Sequence, residues 1–140
     1  MILLDTTVLV YAFGDEHELD EPARKLIQVI TDGRLRATTT VAVIEEFVHV
    51  HSRHRSRREA IQLGSRYIDL LGPLVASTED ALRRSLPLFE RHTGIGAFDA
   101  VLAATAIEIG AEALVSADGG FASVPSLPYV PLTKAEQLLA

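Results

Sequence analysis

The chain contains no cysteine, which removes disulfide frameworks, thiolate zinc sites and cysteine nucleophiles at once. It has only two lysines, Lys25 and Lys134, and neither follows a segment that reads as a core strand. A phosphotransfer enzyme or receiver-like domain needs a lysine set against a phosphoryl group, so that class is disfavoured. The Asp-x-Asp signature of such enzymes is missing too, because two threonines follow Asp5. Nor is there an apolar run long enough to cross a bilayer. The start is too short and too acidic for a signal peptide, since Asp5 interrupts its apolar run and no basic segment precedes it. These absences lead us to expect a cytoplasmic protein with no membrane partner.

What is present is ordinary globular composition: 140 residues, 48% hydrophobic and 23% charged. That is enough chain for one domain, spanning residues 1–140, with a substantial core. The net charge of -6 argues on its face against a partner as anionic as nucleic acid.

The N-terminal stretch Met1 to Ala12 is apolar with a single carboxylate, Asp5, set into it. It reads as a short buried strand, then a helix entered through Thr6 and Thr7 and continuing past Tyr11. Asp5 would sit at the strand's carboxyl end, where ligands gather in open α/β sheets; equally, it would simply cap the helix. Asp20 and Pro22 open a second helix carrying Ala23, Leu26, Ile27 and Ile30, closed by Asp32-Gly33. Residues 34–38 read as a second strand leading into a helix over 41–54.

That helix carries Glu45 and Glu46. On a helical wheel they fall on opposite edges of the apolar half formed by Val43, Ile44, Phe47, Val48 and Val50, so periodicity leaves either free to reach a site. The stretch from His51 to Arg58 concentrates Arg53, Arg55, Arg57 and Arg58, four of eleven arginines. It is suited to contacting phosphates, or to serving as a solvated helix junction. His49, His51 and His54 read as exposed surface rather than as a metal cluster.

A helix over 60–71 stops at Gly72-Pro73, and Leu74 to Ala76 is a candidate third strand. Ser77 or Thr78 caps a helix running through Leu82, Leu86 and Phe89 to Arg91, kinked or divided by Pro87. From Phe98 to Ile109 the pattern is apolar almost all round, the mark of a central buried helix, with Asp99 as the exception in its first turn. Residues 113–116 read as a buried strand, after which Asp118 repeats the placement of Asp5. An edge strand near Tyr129 and a short terminal helix from Thr133 complete the chain.

Strands alternating with helices predict an α/β domain with a mainly parallel central sheet flanked by helices. Such a sheet can gather Asp5, Asp99, Asp118 and a helical glutamate. Several carboxylates without thiolates suit a hard cation, Mg²⁺ or Mn²⁺, over zinc. Setting those four acids aside leaves only a slight acidic excess, so net charge does not decide the partner.

The stretches Leu4 to Ala12, Thr38 to Phe47, Ala97 to Ala104 and Val115 to Phe121 resemble PIN-domain ribonucleases. More narrowly, they resemble the VapC-type toxins of bacterial and archaeal type II toxin-antitoxin modules. The resemblance covers nearly the whole chain. It implies a PIN-like fold, Mg²⁺- or Mn²⁺-dependent endoribonuclease activity on RNA, a homodimer, and a cognate VapB-type antitoxin whose tail fills the acidic groove. Asp5, Asp99 and Asp118 match the family's aspartates. Glu46, after Thr40 and before Phe47, matches better than Glu45. All four are expected as metal ligands and catalytic residues, with Thr6 and Ser116 in support and the four arginines docking the RNA backbone. The competing expectation is a PIN-like module that binds RNA and metal without cleaving.

Overall fold

The computed structural model describes residues 1–139. Its centre is β1 (Ile2–Leu4), buried at all three positions. An uninterrupted apolar triplet of this kind suits a strand paired on both edges and covered on both faces, each side chain contributing roughly 1.5–3 kcal/mol of burial. β1 leads through Asp5 into α1 (Thr6–Tyr11), then α2 (Asp20–Thr31) and β2 (Ala37–Thr38). Four helices follow: α3 (Val41–His54), α4 (Arg57–Leu71), α5 (Glu79–Arg91) and α6 (Ala97–Glu108). The chain then makes β3 (Leu114–Ser116), a 3₁₀ turn (Gly119–Ser123), β4 (Tyr129–Pro131) and a last 3₁₀ segment (Leu132–Leu139).

The four strands pair in the order β2-β1-β3-β4, every pair parallel. Leu3 lies opposite Leu114 and Leu4 opposite Val115. This register brings the carboxyl ends of β1 and β3 side by side, and with them Asp5 and Asp118. The parallel α/β architecture expected from the order of elements is the one formed.

Helix starts follow local chemistry. Thr40, Ser56 and Thr78 each accept a hydrogen bond from the backbone N–H three residues on, at 3.1, 3.0 and 2.9 Å, and so open α3, α4 and α5. Beneath α3, Phe47 is fully buried, edge-on to Tyr67 (5.0 Å between centroids) and stacked on His51 (5.3 Å). The Tyr67 hydroxyl donates to the carbonyl of Leu9 at 2.8 Å, tying α4 to α1.

Several expectations need correcting. The second strand spans two residues, not 34–38, because Arg34 and Arg36 stay in solvent. Leu74 to Ala76 is no strand: it contributes a single bridge, Val75 to Thr40. Pro87 does not divide α5. That helix buries Ala81 and Ser85 and turns Leu82, Leu86 and Phe89 outward. α6 packs along α5 and buries Ala100 and Leu102 to Ala106, but leaves Phe98 and Ile109 open. The short terminal helix expected from Thr133 is present as a 3₁₀ segment. His51 is not surface: its Nε2 lies 2.8 Å from Glu59 Oε2, inside the α3–α4 junction. Among the described residues no helix is long and apolar enough to cross a membrane.

Candidate active site

Asp5 is nearly completely buried. It occupies the N-cap position of α1, yet its carboxylate makes no capping bond. Instead Oδ2 accepts from the Ser116 hydroxyl at 2.6 Å and the Thr7 hydroxyl at 3.0 Å. Each hydroxyl has one proton, and both are committed to Asp5. Their lone pairs are then free to accept backbone N–H groups from the end of β3: Ala117 to Thr7 and Asp118 to Ser116, at 3.0 and 2.9 Å. The 3.3 Å approach of the two hydroxyls to each other is therefore contact, not a third bond. The network fastens β1, α1 and β3 together around one charge.

Glu46 reaches in from α3, where its Oε2 accepts from the Thr6 hydroxyl at 2.9 Å. That bond distinguishes the paired glutamates: Thr6 holds Glu46 at the groove on the α1 side, which Glu45 does not line. Asp118 Oδ1 accepts from the Gly120 N–H at 2.9 Å and so heads the 3₁₀ turn. Gly120 has no alternative, because a Cβ there would run into the carbonyl oxygen of Gly94, in the loop before α6.

Asp99, half-buried in the first turn of α6, records the convergence electrostatically. Burial first, then the charges of Asp5, Asp118 and Glu46, push its carboxyl from 3.8 up to about 6. Tyr129 on β4 shows the same field: burial, then Asp118 and Asp5, push its phenol up, and its hydroxyl faces the carbonyl of Ser116 at 3.4 Å.

The structure thus brings together Asp5, Glu46, Asp99, Asp118, Thr6 and Ser116. Two grooves meet at Asp5, Glu46 and Asp99. One is lined by Thr7, Val10, Tyr11 and Val50; the other by Thr40, Val43, His49, Ser77 and Phe98. Among the described residues, no three acidic or histidine side chains are drawn in closely enough to form a ready ligand set. Four like charges keep apart, and three of them are hydrogen-bonded to hydroxyls or backbone. The donor chemistry still fits a hard cation: every group is a carboxylate, and among the described residues no lysine or arginine lines either groove.

Arg53, Arg55, Arg57 and Arg58 are exposed at the α3–α4 junction, and none lines either groove. Among the described residues none of the four is ion-paired with a carboxylate. Sequence reasoning missed Thr7, Gly120 and Tyr129. Thr7 had a signal, a second hydroxyl two residues after a strand-end aspartate; Tyr129 had none, since its place depends on β4 pairing with β3.

The PIN domain family model matches residues 2–127. Ribonuclease VapC7 of Mycobacterium tuberculosis is 50% identical over 131 residues, 93% of this chain and 90% of that protein. Among solved structures, M. tuberculosis VapC20, described as a sarcin-ricin loop cleaving toxin, aligns with a TM-score of 0.74 at 16% identity, over 89% of this chain and 95% of its own. A toxin-antitoxin complex from Klebsiella pneumoniae aligns with a TM-score of 0.69 at 16% identity, over 94% and 98%.

Proposed function

Because the chain belongs to the PIN domain family, we propose that it is a Mg²⁺- or Mn²⁺-dependent endoribonuclease, the toxin of a type II toxin-antitoxin pair. The observation that carries this reading is the convergence of Asp5, Glu46, Asp99 and Asp118 on grooves that, among the described residues, hold no basic side chain except His49; burial first, then the other three charges, raises the Asp99 carboxyl. Such a cluster is electrostatically unfavourable by itself and favourable around a cation.

Asp5, Glu46, Asp99 and Asp118 would hold the metal, which when bound supplies charge neutralisation at the phosphate and a more acidic water. Thr6 fixes the rotamer of Glu46. Thr7 and Ser116 fix Asp5, and their committed protons orient its carboxylate. Gly120 aims Asp118. The likeness to VapC7 and to a toxin-antitoxin complex supports a VapB-type antitoxin as partner. The outward apolar side chains of α5, Leu82, Leu86 and Phe89, offer a face for a homodimer or that partner.

The spread of the four acids favours one competing reading, a PIN-like module that binds RNA and metal without turnover. Incubating the purified protein with structured RNAs separates the two. Cleavage in Mg²⁺ or Mn²⁺ that EDTA abolishes is the expected result; metal-dependent binding without cleavage would move the module ahead.

The arginine block is assigned to backbone docking. Replacing Arg53, Arg55, Arg57 and Arg58 with glutamate should weaken RNA binding and flatten its salt dependence by about 0.7 log unit of slope for each single-strand phosphate that is no longer neutralised. An unchanged slope in a binding titration from low to high salt would rule out this role.

A further inference from the structure

Phe98 is 87% exposed, immediately before Asp99 in the first turn of α6. The helix does not need a phenyl ring there, because its buried face is carried by Ala100, Leu102 and the residues that follow. Phe98 belongs instead to the wall of the groove that contains Glu46 and Asp99. Every carboxylate in that groove repels a polyanion, and among the described residues His49 is its one basic group. The part of a nucleotide that such a wall attracts is the uncharged face of a base, through stacking.

We propose that Phe98 is a stacking platform for an unpaired RNA base beside the phosphodiester that is cut. The inference rests on the nuclease reading and deepens it, because it assigns one side chain of this chain to positioning the base beside the cut. A base inside an A-form duplex keeps both faces covered by its neighbours and cannot reach an exposed ring, whereas a splayed base can. The platform discriminates weakly among the four bases, since each has a π-face. Presentation of the base, more than its identity, selects the site. The groove is continuous with the carboxylates, sharing Asp5, Glu46 and Asp99 with the opening on the other side of the cluster, so a base held on Phe98 sets the adjoining phosphate against them.

The test is steady-state cleavage of a single-stranded oligoribonucleotide in Mg²⁺ by the wild type and by Phe98→Ala, Phe98→Leu and Phe98→Trp. A second substrate lacks the base beside the cut. On the intact RNA, KM should rise about 5- to 150-fold in Phe98→Ala, the fold-change that matches loss of one stacked base. Phe98→Leu, apolar but unable to stack, should resemble Phe98→Ala, and Phe98→Trp should restore KM. With the abasic substrate the wild type and Phe98→Ala should become alike. A 2-aminopurine at that position should be quenched on binding the wild type and Phe98→Trp only. Equal KM for the wild type and Phe98→Ala on the intact RNA would leave the ring to a protein partner and overturn the inference alone. A wild type that cuts no RNA would overturn the nuclease reading and the inference with it.

Discussion

Asp99→Asn is expected to abolish RNA cleavage while making the metal-free protein harder to melt. The two effects share one cause. On the proposed reading, removing a carboxylate that would hold the metal should lower kcat by about 10²- to 10³-fold, the range for removing one preorganised electrostatic stabiliser. In the metal-free protein the same carboxylate is a liability, because burial and the charges of Asp5, Asp118 and Glu46 push it from 3.8 up to about 6. A carboxyl raised on folding binds more protons in the native state than in the unfolded chain. Its favourable contribution is complete below about pH 3.8 and is lost as pH rises through about 6. At pH 7 the ionised group opposes folding. Asp99 is only half-buried, so solvent screening reduces that opposition to on the order of 1 kcal/mol, a few degrees in Tm for a chain of this size. Calorimetry in EDTA should show the asparagine variant melting higher than the wild type at pH 7, with the gain shrinking toward pH 4. A variant that melts lower at pH 7, or that cuts at the wild-type rate, would remove Asp99 from the role assigned to it.

Phe47→Ala should cost about 3–5 kcal/mol, a large share of the roughly 5–15 kcal/mol that holds an ordinary domain together. Phe47 has no exposed surface. Its ring meets Tyr67 edge-on at 5.0 Å, stacks on His51 at 5.3 Å and lies 6.4 Å from Phe13. It therefore joins α3 and α4 to the chain leaving α1, and no one neighbour can collapse into its volume. Denaturant unfolding should show a midpoint shift of that size. A cost below about 1 kcal/mol would mean that the aromatic cluster repacks freely. Because Glu46 precedes Phe47, the variant should also loosen the glutamate, even at temperatures where the protein is still folded.

Three of the four acids were legible because their positions are local properties. Asp5 follows an apolar triplet, Asp118 lies two residues past the short buried strand Leu114–Ser116, and Asp99 interrupts an apolar helix in its first turn. The choice between Glu45 and Glu46 was not settled by helical periodicity, which places them symmetrically about the buried face; it depends on the Thr6 hydroxyl, forty residues away. His51 was misjudged for a similar reason. Its burial comes from Phe47 on its own helix together with Phe13 and Glu59 from other segments, and no window centred on residue 51 contains all of these. The strand expected at 34–38 shortened because β2 is an edge strand, paired only with β1, and the chain leaves the sheet as soon as that pairing ends. Propensity marks where a strand can form. Its length is set by its neighbours.

The close approach of Gly120 to Gly94 has a further meaning. The loop before α6 leads directly to Asp99 and the turn after β3 carries Asp118, and these segments touch main chain to main chain at Gly94 and Gly120. The gap between the two aspartates is thus gauged by backbone thickness, the one dimension of a protein that substitution cannot trim. A side chain at Gly120 would act as a shim and widen the mouth of the site without altering any acid in it, whereas a Cβ at Gly94 would meet only ordinary contacts. The aperture and the chemistry of this centre can therefore be changed separately, the first through Gly120 and the second through four carboxylates.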